Sequence, residues 1–289
     1  MRAVPSFEVL MPSSLEEALK MLAEAPEDTV VYAGGTDLMP MMRRGRIKPT
    51  KVIDLSAVFE LSYLRKEGGM FKIGALTTIH DLANSALIPP NYLSLRSLSV
   101  YFGAETTRHM ATVGGNLASG GERDIPAILA SLDAVVKIAS NHHTRFSHPL
   151  ELGLKPSELI IDVSFEDWGS RSVSWFTKFE KRASNGIGVV TVAVSMKMLD
   201  NTVDKLRVVL NRVEGRRMDR LYELEEELTG VRLSTPLIIE AVEKHLSKVR
   251  PAGDFRASSE FRKHVSKVLV RRGLEFCWQY LQRGEGCEN

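Results

Sequence analysis

Hydrophobic and polar positions follow several rhythms along the chain, and the rhythm changes past its middle. Leu15, Ala18, Leu19 and Leu22 recur at helical spacing behind Ser13-Ser14 and Glu16-Glu17, a capped helix start. A β-prone run from Thr29 to Tyr32 follows and is broken by Ala33-Gly34-Gly35. Short apolar runs at Lys51 to Leu55 and Met70 to Ala75 predict strands, and the spacing over Asp81 to Leu87 and Leu93 to Phe102 predicts helices. Thr112-Val113-Gly114-Gly115-Asn116 predicts a second glycine turn, Ile125 to Leu132 a helix, and Ala134 to Ile138 and Leu159 to Val163 two further strands.

The pattern loosens over Phe165 to Ser172. Long alternating runs then begin at Ser172 to Phe176, Gly188 to Leu199 and Lys205 to Leu210. Helical tracts follow at Leu221 to Leu228, Pro236 to Val249 and Ser258 to Leu281, the last with Phe261, Val265, Val268 and Leu269 on one face. Strands followed by helices predict an antiparallel sheet with helices over one face. A chain of 289 residues also exceeds what one core comfortably supports. The expected fold is α+β, with one domain over 1–168, in subdomains of about 1–56 and 57–168, and a second over 169–289.

The 44% hydrophobic and 26% charged residues are those of an ordinary soluble protein, so disorder is excluded as the organising principle. A net charge of +2, with both signs interspersed, argues against nucleic acid as a partner, and the cluster Arg43, Arg44, Arg46, Lys48, Lys51 reads as a solvated loop. Cys277 and Cys287 are the only cysteines, too few for a disulfide framework or for the four thiolates of an iron–sulfur cluster. The first residues lack the apolar run of a signal peptide and nothing approaches the ~20 apolar residues of a membrane span, so the expected location is cytoplasmic.

Candidate chemistry concentrates in the two glycine segments. In Ala33-Gly34-Gly35-Thr36-Asp37-Leu38, missing Cβ atoms let backbone N–H groups approach an anion, Thr36 adds a hydroxyl, and Asp37 is placed to cap the next turn. Thr112 to Asn116 offers the same chemistry again, and together the two suit the two phosphates of a dinucleotide. Neither matches GxGxxG or a P-loop, so the fold is neither of those. His142, His143 and His148 lack metal-site spacing, and no nucleophile–base pair can be assembled, which leaves hydrolase chemistry unsupported.

Between Val31 and Leu132 the chain resembles the FAD-binding subunits of the molybdenum hydroxylases, the class of xanthine dehydrogenase and CO dehydrogenase. The likeness lies in AGGTDL (33–38), IDLS (53–56), IGALTT (73–78) and TRHMATVGGN (107–116). It continues through LKPSELI (154–160), Lys178 to Ala193, and PAGDFRASSEFRKHVSKVLVRR (251–272). The resemblance implies a vanillyl-alcohol-oxidase (PCMH) type FAD-binding domain in two subdomains and a C-terminal α+β domain. It implies FAD contacts from Ala33, Gly34, Gly35, Thr36, Asp37 and Leu38, from Ala75 and Thr77, and from Thr112, Gly114, Gly115 and Asn116.

By the same resemblance Asp124 lies near the ribityl chain or flavin ring, although a helix N-cap before Ile125-Pro126 explains it as well. Lys178 would lie near the isoalloxazine, against a bland reading as a solvated strand lysine, and His80 would lie near the flavin or make a structural hydrogen bond. The chain departs from the family at Ser119 to Asp124, a shorter and more charged loop, and at Asn185-Gly186, where an acidic residue is frequent. The implied function is electron transfer through FAD, from the clusters of a 2Fe–2S small subunit paired with a molybdopterin large subunit, to NAD or another acceptor. A stand-alone flavin oxidoreductase or diaphorase and a flavin-free scaffold are the competing readings.

Overall fold

A computed structural model describes residues 6–120, 123–181, 188–211 and 218–284. The predicted Asn185-Gly186 departure, Cys287 and Gly121-Glu122 lie outside the described residues. The first unit contains β1 (Glu8–Leu10), α1 (Leu15–Glu24), β2 (Val30–Tyr32), α2 (Leu38–Arg43) and β3 (Lys51–Asp54). The three strands form a parallel sheet with β3 in the middle. The helix start read from the sequence is real: the Ser14 hydroxyl accepts from the Glu17 N–H, and Ala18, Leu19 and Leu22 are buried. That face packs against Ile53 and Leu55, and against Leu159 and Ile161 of the next sheet.

The second unit runs through β4 (Leu64–Glu67), β5 (Met70–Gly74), α3 (Ile79–Asn84), α4 (Leu93–Arg96), α5 (Leu98–Tyr101), α6 (Glu105–Met110), α7 (Val113–Ala118) and α8 (Asp124–Ser131). It ends with β6 (Val135–Ala139), β7 (Thr144–Ser147) and β8 (Leu159–Glu166). Its strands pair antiparallel in the order β4-β5-β8-β6-β7. The helical spacing over Leu93 to Phe102 is borne out as two short helices meeting at Ser97, and one expectation fails. The second glycine turn is a helix, α7, because extended Thr112 caps it by accepting the Gly115 N–H, a cap signal that Gly-Gly masks.

The third unit has β9 (Ser172–Phe179), β10 (Val190–Leu199), β11 (Thr202–Asn211), β12 (Asp219–Arg220), α9 (Tyr222–Leu228), α10 (Thr235–Leu246) and α11 (Ser259–Gln282). Its antiparallel order is β12-β11-β10-β9. Val192, Val194, Leu206 and Val208 face α9, α10 and α11. The other face is covered too: Phe176, Ala193 and Val209 join the core around α8, every residue of which is buried. Ser195 and Ser131 hydroxyls meet at 3.1 Å across that contact.

Val265 and Leu269 of α11 are buried as expected, Val268 is half-buried, and the departure is at the start of the helix. Phe261 is exposed, while Arg262 is buried, donating to the Val189 carbonyl at 2.6 Å and pairing with Asp254 at 2.7 Å. Gly273 allows the close approach of α11 to β9, since a Cβ there would lie 2.7 Å from the Trp175 ring. Arg43, Arg44, Arg46 and Lys48 are exposed as predicted, whereas Lys51 pairs with Glu8 at 3.1 Å. No helix among the described residues is long and apolar enough to cross a membrane.

Candidate functional site

A cavity of about 430 Å³ opens where the parallel sheet, α7 and the β8 end of the antiparallel sheet meet. Of the residues that the sequence singles out, Ala33, Gly34, Gly35, Thr36, Asp37 and Leu38 line it, as do Ala75, Thr112, Gly114, Gly115 and Asn116. β2 delivers the chain to the cavity and α2 carries it away. Between them Gly35 adopts φ +67°, a left-handed conformation that would strain any L side chain. The N–H groups of Gly34, Gly35, Thr36, Asp37 and Leu38 donate to no protein group among the described residues. A run of free amides facing one cavity is an anion cradle.

The second segment works differently. The Val113 N–H donates to the Thr77 carbonyl at 3.0 Å, that of Gly114 to Ala75 at 2.8 Å and that of Asn116 to Thr112 at 3.0 Å, and Thr112 Oγ1 takes the Gly115 amide. Its amides are therefore spent on the protein, and the equivalence expected of the two segments does not hold. The glycines serve close packing: a Cβ on Gly114 would lie 2.6 Å from that of Ala75, and one on Gly34 would lie 1.7 Å from the Met110 carbonyl oxygen. Gly115 is the exception: it lines the cavity, and a Cβ there would meet no backbone within 4 Å, only the Thr112 Oγ1 at 2.8 Å and the Ala33 Cβ at 4.0 Å. The Asn116 Oδ1 is buried there without a hydrogen-bond partner, an acceptor awaiting a donor from a ligand.

Sequence reasoning assigned no role to the remaining walls, although the resemblance ran through one of them. Leu154, Lys155, Glu158, Leu159 and Ile160, all within the LKPSELI segment, close one side. Glu158 is gripped by the Arg145 guanidinium at 2.8 Å through both oxygens and by the Lys155 N–H at 2.9 Å, which holds its carboxyl at about 2, well below the usual range. Arg145 also donates to the Gly153 carbonyl. A depressed carboxyl stabilises the fold above about pH 4.5 and loses that contribution as pH falls toward about 2. Arg145→Ala is thus expected to lower the melting temperature by a constant amount above that range and by a vanishing amount near its acid end. A pH series of melting curves checks this.

Ser119 and Arg123 line another side, and there Asp37 departs from expectation. It makes no capping hydrogen bond; its carboxylate pairs with Arg123 at 2.8 Å and accepts from Ser119 Oγ at 3.0 Å. Thr77 lies outside the cavity, where its hydroxyl donates to the Tyr63 carbonyl at 2.7 Å beside a second recess. That recess also holds His80, whose ring stacks on His109 with centroids 3.8 Å apart.

Asp124 and Lys178 are brought together, one residue beyond the cavity-lining Arg123. Arg123 occupies the cap position of α8, so Asp124 is the first helical residue and not an N-cap. Lys178 is far from a solvated strand lysine: its side chain is 4% exposed and reaches Asp124 at 3.0 Å and Glu180 at 2.6 Å. His148 turns inward, its Nδ1 accepting the Leu150 N–H.

The family described as the FAD binding domain in molybdopterin dehydrogenase matches residues 5–164, and the CO dehydrogenase flavoprotein C-terminal domain matches residues 175–276. The chain belongs to the FAD-binding subunits of the molybdenum hydroxylases. FAD is the cofactor of this family, whose members are oxidoreductase subunits. A glyceraldehyde dehydrogenase medium chain from Sulfolobus acidocaldarius is 27% identical and aligns over 94% of this chain and 98% of its own. A carbon monoxide dehydrogenase medium chain from Hydrogenophaga pseudoflava is 26% identical over 95% and 98%. Reconstituted CO dehydrogenase from Oligotropha carboxidovorans contains a chain that superposes with a TM-score of 0.89 at 26% identity, covering 96% of this chain and 99% of that one. The α+β architecture expected from the sequence is therefore the architecture of the family.

Proposed function

We propose that this molybdenum hydroxylase subunit is an electron-transfer module. It receives electrons from the clusters of a 2Fe–2S small subunit, itself served by a molybdopterin large subunit, and delivers them through bound FAD to NAD or another acceptor. Bound FAD supplies the one- and two-electron redox chemistry that side chains lack. The observation that carries the reading is the run of free N–H groups from Gly34 to Leu38, facing a cavity in which the Asn116 Oδ1 has no partner. Those amides would hold the diphosphate, with the Thr36 hydroxyl beside them. Ala75, Thr112, Gly114 and Gly115 would shape the opposite wall, and Asn116 would accept from a ligand hydroxyl. Asp124 and Lys178 would flank the redox end, while Thr77, whose hydroxyl is held by the Tyr63 carbonyl, would contribute through its carbonyl, which fixes the start of α7.

With two cysteines in 289 residues, the chain cannot supply the thiolates of the clusters, which supports separate partner chains in a cytoplasmic heterotrimer. A division near residue 168 is supported by the loop between β8 and β9, which belong to different sheets.

Gly115→Ala probes the binding reading with little cost to the fold. A Cβ there displaces the Thr112 hydroxyl, for about 1 kcal/mol, but alanine returns about as much in helix propensity. The apoprotein melt is expected to stay near the wild type while flavin absorbance per chain falls sharply. Full flavin content would remove α7 from the site. For function, the purified chain, free of iron and molybdenum, should show at most weak NADH-dependent reduction of artificial acceptors and should hydroxylate no purine, aldehyde or CO. Adding the cognate subunits should restore turnover; hydroxylation by the chain alone would overturn the electron-transfer reading.

A further inference from the structure

We infer that Arg123 is a diphosphate-binding residue, held in place by the Asp37 side chain, whose carboxylate does not itself touch the cofactor. The inference deepens the proposed FAD site and rests on it. Asp37 sits within the run of free amides, yet a bare carboxylate there would repel an incoming diphosphate. The structure resolves this conflict. Asp37 Oδ1 pairs with Arg123 Nη2 at 2.8 Å and its Oδ2 accepts from Ser119 Oγ at 3.0 Å, so the carboxylate is engaged by groups from across the cavity.

Arg123 lines the same cavity, and among the described residues Asp37 is its one ion-pair partner, leaving donors of its five-hydrogen fork for a ligand. A planar guanidinium suits phosphate oxygens better than a point charge does, because it donates two parallel hydrogen bonds.

The backbone of Arg123 is anchored independently. Its carbonyl accepts from the Nδ2 of fully buried Asn211 at 2.9 Å, and the next residue, Asp124, is tied to Lys178. The guanidinium is therefore presented from a fixed point, between the free amides of the first loop and the end of α7. Asp37 orients it and Ser119 orients Asp37, which makes both of them positioning residues.

The test is a titration of apoprotein with FAD, followed by quenching of flavin fluorescence, together with competition by inorganic pyrophosphate. Arg123→Gln should weaken FAD binding at least tenfold, weaken pyrophosphate competition in proportion, and flatten the salt dependence of the dissociation constant, with an unchanged apoprotein melt. Arg123→Lys should recover part of the loss. Asp37→Asn should weaken FAD binding in the wild-type background and add little to Arg123→Gln, as expected of a residue that acts through Arg123. Unchanged FAD affinity in Arg123→Gln, or lost affinity with undiminished pyrophosphate competition, would overturn the assignment. Full additivity of Asp37→Asn with Arg123→Gln would overturn the positioning role. Wild-type protein that takes up no FAD would overturn the proposed site as a whole, a failure distinct from either.

Discussion

Gly34→Ala should cost the protein at least about 3 kcal/mol of stability, because the new Cβ meets backbone and not a movable side chain. It would lie 1.7 Å from the Met110 carbonyl oxygen and 2.6 Å from its carbon, at the point where the first loop crosses the connection into α7. Relief requires the two segments to part, and parting them dismantles the cavity between the free amides and Asn116. Denaturant unfolding should show the lowered midpoint, and the purified variant should carry no flavin. A variant with wild-type stability and full flavin would show that the two segments do not abut as described.

Lys178→Ala should be comparably damaging for an electrostatic reason. Its ammonium lies between the Asp124 carboxylate at 3.0 Å and that of Glu180 at 2.6 Å, with all three side chains at most 11% exposed. Lys178→Ala removes the cation that the two carboxylates share, and breaking a buried ion pair typically costs about 3–5 kcal/mol. Adding Glu180→Gln to Lys178→Ala should restore part of the loss, since one fewer charge then stays buried. Chemical denaturation of the three proteins checks this. Equal midpoints for wild type and Lys178→Ala would mean that the cluster is effectively solvated.

The parts of the fold legible in the sequence are those set by neighbours along the chain. The α1 start at Ser14, the break of β2 at Gly34 and the alternation of β10 and β11 each depend on a few adjacent residues. The glycine loop before α2 was legible too, although the reason for Gly34 was not, since its constraint is a carbonyl at Met110. TVGGN reads as a turn because glycine pairs usually mark one, yet capping by Thr112 and packing on Ala75 draw it into a helix.

The charged partners were hidden for a related reason. From the residues alone Asp37 reads as a cap, a cap explains Asp124 as well as a flavin contact does, and a solvated strand position explains Lys178 equally well. Their partners come from Arg123 for Asp37, and from β9 for Asp124, far along the chain in both cases. Arg262 buried beside exposed Phe261 at the start of α11 follows the same logic, because its partners, the Val189 carbonyl and Asp254, lie elsewhere along the chain. The resemblance supplied what local patterning lacked: it ran through Leu154 to Ile160, a wall of the cavity to which composition and spacing assign nothing.

The site rests centrally on the free amides of Gly34 to Leu38 holding a diphosphate, and one comparison addresses that most directly. Wild-type apoprotein titrated with FAD and with riboflavin, which carries the same ring and ribityl chain but neither diphosphate nor adenosine, should bind FAD at least a hundredfold more tightly, about 2.7 kcal/mol in favour of the ADP half, and inorganic pyrophosphate should compete with FAD but not with riboflavin. Equal affinity for the two flavins would contradict it.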